Sequence, residues 1–308
     1  MKNNHLKKKP EDLVSELKNY GYKFTSFETT KLGDYKKEDA DWNDKDLLHI
    51  KNVHSKIDAV NTYVSDEFAS TIQFIKIPML LNIEFPIVVL NYDTKDYFNT
   101  FVATFGPYIL IMDKKTENKN QGSETHQTFY CGTNIFFFKL LLPIVKIFLK
   151  KNNQFTYSED LPMRIQRHNL RKNNHFFRDE NKRYSYLESL NLKDQKIFFS
   201  GEKKVKINLS DINQDKIVKK ENSGLLNFHI IKNSEIYKFY SSICYHEGAY
   251  LCPSQNSENI KCPWHGIIHK PVLKVKNNKV ISSNNTIYDF NLNWPMLEIT
   301  LKNPVKAN

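Results

Sequence analysis

Hydrophobic positions follow two periods along this chain, and the change of period divides it. From Pro10 to Tyr20 the apolar residues Leu13, Val14, Leu17 and Tyr20 recur at three- and four-residue intervals, with Pro10 in front and Gly21 behind. That spacing predicts a helix. A second helical stretch is expected from Asp44 to Val60. From about Ile72 to Cys131 the text turns to aromatic and β-branched runs, so Ile83 to Leu90, Tyr97 to Phe105, Tyr108 to Met112 and Thr125 to Cys131 read as strands. Asn91 to Thr94 and Gly106-Pro107 mark turns, and Lys114 to Glu124 reads as a polar hairpin loop. Helical spacing returns at Ile135 to Leu149 and in a charged stretch from Ser158 to Asp179. Short strands then run to the end, including Ile197 to Phe199, Leu226 to Ile231, Ile236 to Tyr240 and Val280 to Ser282. The polar stretch from Asn181 to Asp194 places a boundary near Leu190, giving domains 1–190 and 191–308.

Helices, an antiparallel sheet and a last long helix predict an α+β domain whose sheet wraps that helix, followed by a small all-β domain. The first arrangement resembles the helix-grip, or START-like, fold. Such a fold implies an enclosed apolar cavity, here lined by Phe, Tyr and Ile residues of the 83–112 strands. An aromatic, isoprenoid or lipid-like small molecule is the expected occupant.

The apolar run from Ile135 to Leu149 contains Lys139, Pro143 and Lys146, and is too short and too charged to span a bilayer. Lys139, Lys146 and Lys150 recur at helical spacing, as a polar stripe on an otherwise buried helix. A lid that dips into a membrane is the alternative, and implies peripheral membrane contact.

Charge adds little to this picture. The 308 residues have room for two domains, and Lys and Arg exceed Asp and Glu by 45 to 34, a net charge of +11. That balance favours acidic partners such as an electron donor, an anionic membrane or nucleic acid. The lysines are scattered and carry no nucleic-acid motif, so nucleic acid is not expected. The start, Met1 to Pro10, has no apolar run of a secretory signal. With few cysteines, a reduced cytoplasmic setting is expected.

The strongest chemical signal is Cys244-Tyr-His246, then fifteen residues, then Cys262-Pro-Trp-His265-Gly266. Two thiolates and two imidazoles in paired loops suit a 2Fe–2S cluster, with the thiolates on one iron and the imidazoles on the other. Gly248 and Gly266 allow tight turns beside the sulfurs. A four-ligand zinc site is the competing use of the same residue types. The segments Cys244-Tyr-His246-Glu-Gly248-Ala249-Tyr-Leu251 and Cys262-Pro263-Trp264-His265-Gly266 resemble the two cluster loops of the Rieske family. The resemblance implies Cys244 and Cys262 on one iron and His246 and His265 on the other. High-potential members carry an extra disulfide between the loops; Ala249 and Trp264 stand at those positions, which implies a lower-potential, ferredoxin-like or oxygenase-like cluster. Cys131 and Cys252 read as ordinary small buried residues.

A second set is Asp46-Leu-Leu-His49-Ile-Lys-Asn-Val-His54. Residues five apart do not stack on a regular helix, so the two histidines converge only if the helix ends or bulges between them. Two His with one carboxylate is the facial set of non-haem Fe(II) oxygenases. Asp46, His49 and His54 resemble the D-x-x-H-x4-H segment of Rieske non-haem iron oxygenases. The resemblance implies His49 and His54 as ligands of a mononuclear iron, and Asp46 as the carboxylate linking that iron to a Rieske histidine. No motif fixes the third ligand. Asp160 is the first choice and Glu159 the second, with Asp160 as a plain helix N-cap the competing reading. In that family the Rieske domain comes first, whereas here it follows.

The expected activity is an oxygenase reaction on an apolar substrate, with electrons supplied by a ferredoxin or an NAD(P)H-dependent reductase. A homotrimer is implied if electrons cross between subunits. The alternative is a non-catalytic Rieske electron-transfer protein fused to a ligand-binding domain.

Overall fold

The computed structural model describes residues 8–65, 68–77, 83–92, 99–178, 195–219, 223–253, 258–283 and 287–302. Two compact units divide these residues between His168 and Asn169. The class is α+β, as expected: a helix-grip unit first, then smaller all-β sheets.

In the first unit, α1 (Pro10–Asn19) starts with Pro10 and acidic Glu11 and Asp12, and Gly21 ends it at a φ of 81°. Seven strands follow: β1 (Lys23–Gly33), β2 (Ile57–Val64), β3 (Phe68–Ile77), β4 (Ile83–Tyr92), β5 (Asn99–Phe105), β6 (Tyr108–Asn118) and β7 (Ser123–Thr133). They form one antiparallel sheet in the order β1-β7-β6-β5-β4-β3-β2. Strands β1 and β2 follow one another in sequence yet hold opposite edges. The chain between them must therefore cross a sheet roughly 29 Å wide. That crossing carries α2 (Lys37–Lys45) and α3 (Ile50–Val53). The helix α4 (Phe136–Lys172) then runs 37 residues, about 55 Å.

Several expected elements shift. The helix expected over Asp44 to Val60 is two helices and a strand, because α2 begins at Lys37, with the Asp39 carboxylate accepting from the Lys36 N–H at 3.2 Å. Ile57 begins β2, where it and Ala59 pack against Leu47, Ile50 and Ala69. Short apolar runs fit both periods, so spacing alone could not separate them. The expected loop over Lys114 to Glu124 is mostly strand. Thr116 and Thr125 are buried and joined at 3.0 Å, and the reversal is confined to residues 119–122, with Gly122 at a φ of 79°. The two expected helices, over 135–149 and 158–179, are one, and it stops at Lys172, short of the expected end, with a strand at His175–Phe177. Asp93, Thr94, Tyr97, Phe98 and the boundary stretch 181–194 lie outside the described residues.

The expected burial of 135–149 is half right. Leu142 is buried against Tyr108 and Cys131, with Phe138, Val145 and Leu149 packed beside it. Phe136, Phe137, Leu140, Ile144 and Ile147 are all more than half exposed. No helix among the described residues is long and apolar enough to cross a membrane.

The second unit begins with the last turn of α4. Strands β8 (His175–Phe177) and β9 (Ile197–Phe199) pair with each other; β10 (Lys204–Asn208), β18 (Tyr288–Asn293) and β19 (Met296–Leu301) form a three-stranded sheet. A five-stranded sheet joins β11 (Lys216–Val218), β12 (Phe228–Asn233), β13 (Ile236–Ser241), β16 (Leu273–Lys276) and β17 (Lys279–Ser283). The small pair β14 (Ile260–Lys261) and β15 (Ile268–His269) stands apart. One core unites them, built on Leu170, Leu225, Phe228, Phe239, Leu273 and Leu297.

Candidate metal centres

Asp46 ends α2, and its carboxylate accepts from the Leu48 N–H at 3.2 Å. The chain turns there, so α3 starts afresh with His49 at its N-terminal edge and His54 at its C-terminal edge. Four helical residues between two terminal histidines answer the spacing problem: the helix ends before five residues can carry the rings apart. The ring centroids lie 5.2 Å apart.

From α4, Asp160 and Glu159 meet this pair. One Asp160 oxygen, Oδ1, lies 3.2 Å from His49 Nε2 and 3.4 Å from His54 Nε2. His49, His54 and Asp160 each offer a ligand atom within 4.8 Å of the others, and all three are largely buried. Glu159 sits behind His54, with Oε2 3.1 Å from Nδ1, while Oε1 accepts from the Ser55 N–H and hydroxyl. The Asp46 carbonyl takes the corresponding Nδ1 contact of His49, and the Asp46 carboxylate is farther, at 3.8 Å. Both imidazoles thus have Nδ1 beside an oxygen, which leaves their Nε2 atoms toward Asp160. His49 Nε2 is buried and makes no well-aligned hydrogen bond among the described residues. Two imidazole nitrogens meeting one carboxylate oxygen in a largely buried set of three fit a divalent cation.

Asp160 lies deep within α4, so it is no N-cap. Burial opposes its ionisation, but His49, Arg164 and His54 outweigh burial and hold its carboxyl well below the usual range. Arg164 is buried, 3.6 Å from Asp160 Oδ2 and 3.3 Å from Asp44, and it donates to Asn43 Oδ1 at 2.9 Å. Lys114 pairs with Asp44 on the other side.

His49, His54 and Asp160 line part of a cavity of about 230 Å³. Its walls are apolar, with Ile75, Ile87, Val89, Phe101, Leu110, Met112 and Leu149. Phe and Ile of the expected strands take part; the lining tyrosine is Tyr157 of α4 instead. Amide side chains also line the cavity, namely Asn43, Gln73, Gln127, Asn152 and Asn153, of which Asn43 and Gln127 are buried. Gln127 Oε1 accepts from Asn153 and Thr29 at 3.1 and 3.2 Å, while its Nε2 faces the Met112 sulfur at 4.0 Å. Arg164 and Gln127 were not anticipated. Gln127 stood at every second position with Thr125, Phe129 and Cys131 in an expected strand, and that inward parity was the available signal.

In the second unit the two Cys–His loops share one hydrogen-bonded frame. The Cys244 N–H donates to Ala249 O at 2.8 Å, and Gly248 N–H returns to Cys244 O at 2.8 Å. Likewise Cys262 N–H donates to Ile267 O at 2.7 Å, and Gly266 N–H to Cys262 O at 2.9 Å. Gly248 and Gly266 close these loops at φ values of 90° and 71°. Each frame closes on the residue five positions beyond its cysteine, so both cysteines start a loop and both histidines sit inside one.

The histidines face each other, with Nδ1 atoms 3.2 Å apart and rings at 88°. Two nitrogens bound about 2.1 Å from one metal ion lie roughly 3 Å apart, so this spacing fits a shared ion. The two thiols are buried and hydrogen-bonded to each other; the Cys244 thiol and His269 favour the Cys262 thiolate, while burial pushes Cys244 up. His269, on β15, brings its ring within 4.8 Å of both sulfurs, a neighbour that the motif did not announce. His246 is buried and His265 half-buried, leaving one edge of the site near solvent. Cys131 is buried as expected, but Cys252 is exposed.

No protein-family model matches the chain, and no curated protein matches it in sequence. Solved structures are similar to it in part. The protein Ara h 8.0201 aligns at 11% identity and a TM-score of 0.39, over 46% of this chain and 97% of that one. A Thermus thermophilus protein aligns at 11% identity and 0.39, over 45% and 96%. The quaternary ammonium Rieske monooxygenase CntA aligns at 11% identity and 0.30, over 54% of this chain. The alignment spans 45% of that monooxygenase's length.

Proposed function

We propose that this chain is a Rieske-type non-haem iron oxygenase acting on an apolar small molecule. Cys244, Cys262, His246 and His265 would hold a 2Fe–2S cluster, and His49, His54 and Asp160 a mononuclear Fe(II). When bound, these groups supply reductive activation of dioxygen, with electrons from a ferredoxin or an NAD(P)H-dependent reductase. The observation that carries the reading is the meeting of two histidine Nε2 atoms on one oxygen of Asp160 in the lining of a largely apolar cavity.

The chain's own residues then have distinct tasks. The Asp46 carbonyl and Glu159 hold the Nδ1 sides of His49 and His54, keeping both Nε2 atoms free as ligands. Arg164 keeps Asp160 ionised and balances its charge inside the fold. Aliphatic walls exclude water and orient an apolar substrate by shape. The Nε2 of Gln127 offers that substrate one hydrogen-bond donor. The exposed edge of His265 is the natural entry for electrons, and the positive net charge favours an acidic donor protein.

A second reading, an electron carrier fused to a ligand-binding domain, draws on the ion pair of Asp160 with Arg164, which stabilises the fold without metal. Iron analysis after anaerobic purification separates the two. The oxygenase reading expects about three irons per chain, and the carrier about two. His49→Ala should lose one iron and all reductant-driven dioxygen uptake while keeping the cluster's visible spectrum. A wild-type count of two, or loss of the cluster with His49, would sink the proposal.

A further inference from the structure

The first half of α4 carries apolar surface that its own unit does not use. Its residues fall into three stripes along the helix. Phe138, Leu142, Val145 and Leu149 recur at intervals of three and four and pack toward Tyr108, Leu110 and Cys131. A second stripe, of Phe136, Phe137, Leu140, Ile144 and Ile147, is turned away from the first and is between 58% and 78% exposed. Beside it Lys139, Lys146 and Lys150 form a third. Isolated exposed apolar residues are ordinary, but a contiguous stripe of large ones marks a contact surface.

Charge selects the partner. From Asn134 to Ser158 the chain has four lysines, Lys139, Lys146, Lys150 and Lys151, and no Asp or Glu. Two copies meeting through this segment would bring lysines together with no acid between them, a repulsive arrangement. An anionic lipid surface offers the complement: acyl chains for the aromatic and aliphatic stripe, phosphates for the lysines. Sixteen residues from Phe136 to Lys151 cover about 24 Å of helix axis. Lying flat suits that length, and its lysines forbid insertion across a bilayer.

We propose that this face of α4 docks on an anionic membrane, with the apolar stripe sunk at the boundary of headgroups and acyl chains. The proposal stands on surface alone and does not depend on either metal centre.

Flotation of the full-length protein with phosphatidylcholine vesicles, pure or equimolar with phosphatidylserine, tests it. Wild-type protein should float with the mixed vesicles and weakly or not at all with the pure ones. Added salt should release it, since the attraction is screened. Each of Lys139→Gln and Lys146→Gln should weaken binding about fivefold. The pair Leu140→Glu with Ile144→Glu should weaken it by more than about tenfold. Those side chains are 67% and 65% exposed, so the fold should persist, as circular dichroism would verify. If that pair does not fold, the lysine variants carry the test alone. Flotation unchanged in the variants, or absent in wild type with both vesicles, overturns the proposal. Concentration-dependent self-association abolished by Leu140→Glu, without vesicle binding, would assign the face to a second copy instead.

Discussion

Asp160 and Glu159 are neighbours in sequence, yet the structure gives them different faces of the same histidine. One helical residue turns the side chain by about 100°, so Asp160 reaches both Nε2 atoms while Glu159 reaches only the Nδ1 of His54. The two carboxylates therefore predict different defects. Asp160→Asn replaces an ionised donor by an amide and should abolish ferrous binding at this site. Glu159→Gln keeps the ligands but loosens the orientation and basicity of His54, which should weaken ferrous affinity by about 10–100-fold. Ferrous titration of cluster-loaded protein reads both. Equal defects in the two variants, or none in Asp160→Asn, would mean that the sequence's second choice was the better one.

At the scale of elements, the two cluster loops are one design used twice: a cysteine N–H bonded five residues on, and a glycine N–H bonded back to the cysteine carbonyl. The demand falls on the glycines. At both Gly248 and Gly266 an alanine would meet the backbone cost of a positive φ, about 1–2 kcal/mol. At Gly248 its Cβ would also lie 2.6 Å from Leu170 Cδ1 and 3.3 Å from Ile197 Cδ1, adding about 1–3 kcal/mol of overpacking. Gly248→Ala should therefore melt at a lower temperature than the wild type and retain less cluster absorbance; an unchanged melting temperature and spectrum would refute this account. These loops were readable because ligands two or three residues apart need no tertiary information to converge. The His49–His54 pair was readable only as a residue set. Its convergence depends on a four-residue helix whose ends are set by Asp46 and β2, and spacing alone does not fix ends. Period confused strand with helix around Ile57 for the same reason. His269 and Arg164 were opaque, because long-range packing alone brings them to their sites. The fate of 135–149 was opaque too, since a helix that is apolar on two faces reads the same whether the second face is buried or exposed.

At the scale of the whole molecule, the helix that supplies Asp160 to one unit ends inside the other. A boundary near Leu190, read from the polar stretch, would leave Leu170 and Phe177 on the far side of the cut, although both are buried in the core of the second unit. It would also remove β8, the strand that pairs β9 from His175↔Phe199 to Phe177↔Ile197. Each buried side chain of that size contributes about 2–5 kcal/mol, against a typical total of about 5–15 kcal/mol for a domain. Two fragments distinguish the alternatives. The fragment 169–308 should fold cooperatively and assemble a cluster with the absorbance of the full chain. The fragment 191–308 should melt lower by more than about 10 °C, or fail to retain the cluster. Cluster absorbance followed through thermal unfolding measures both at once. Equal stability would mean that the last turn of α4 and β8 merely lie against a unit already complete; a difference would make α4 the one element that both centres require.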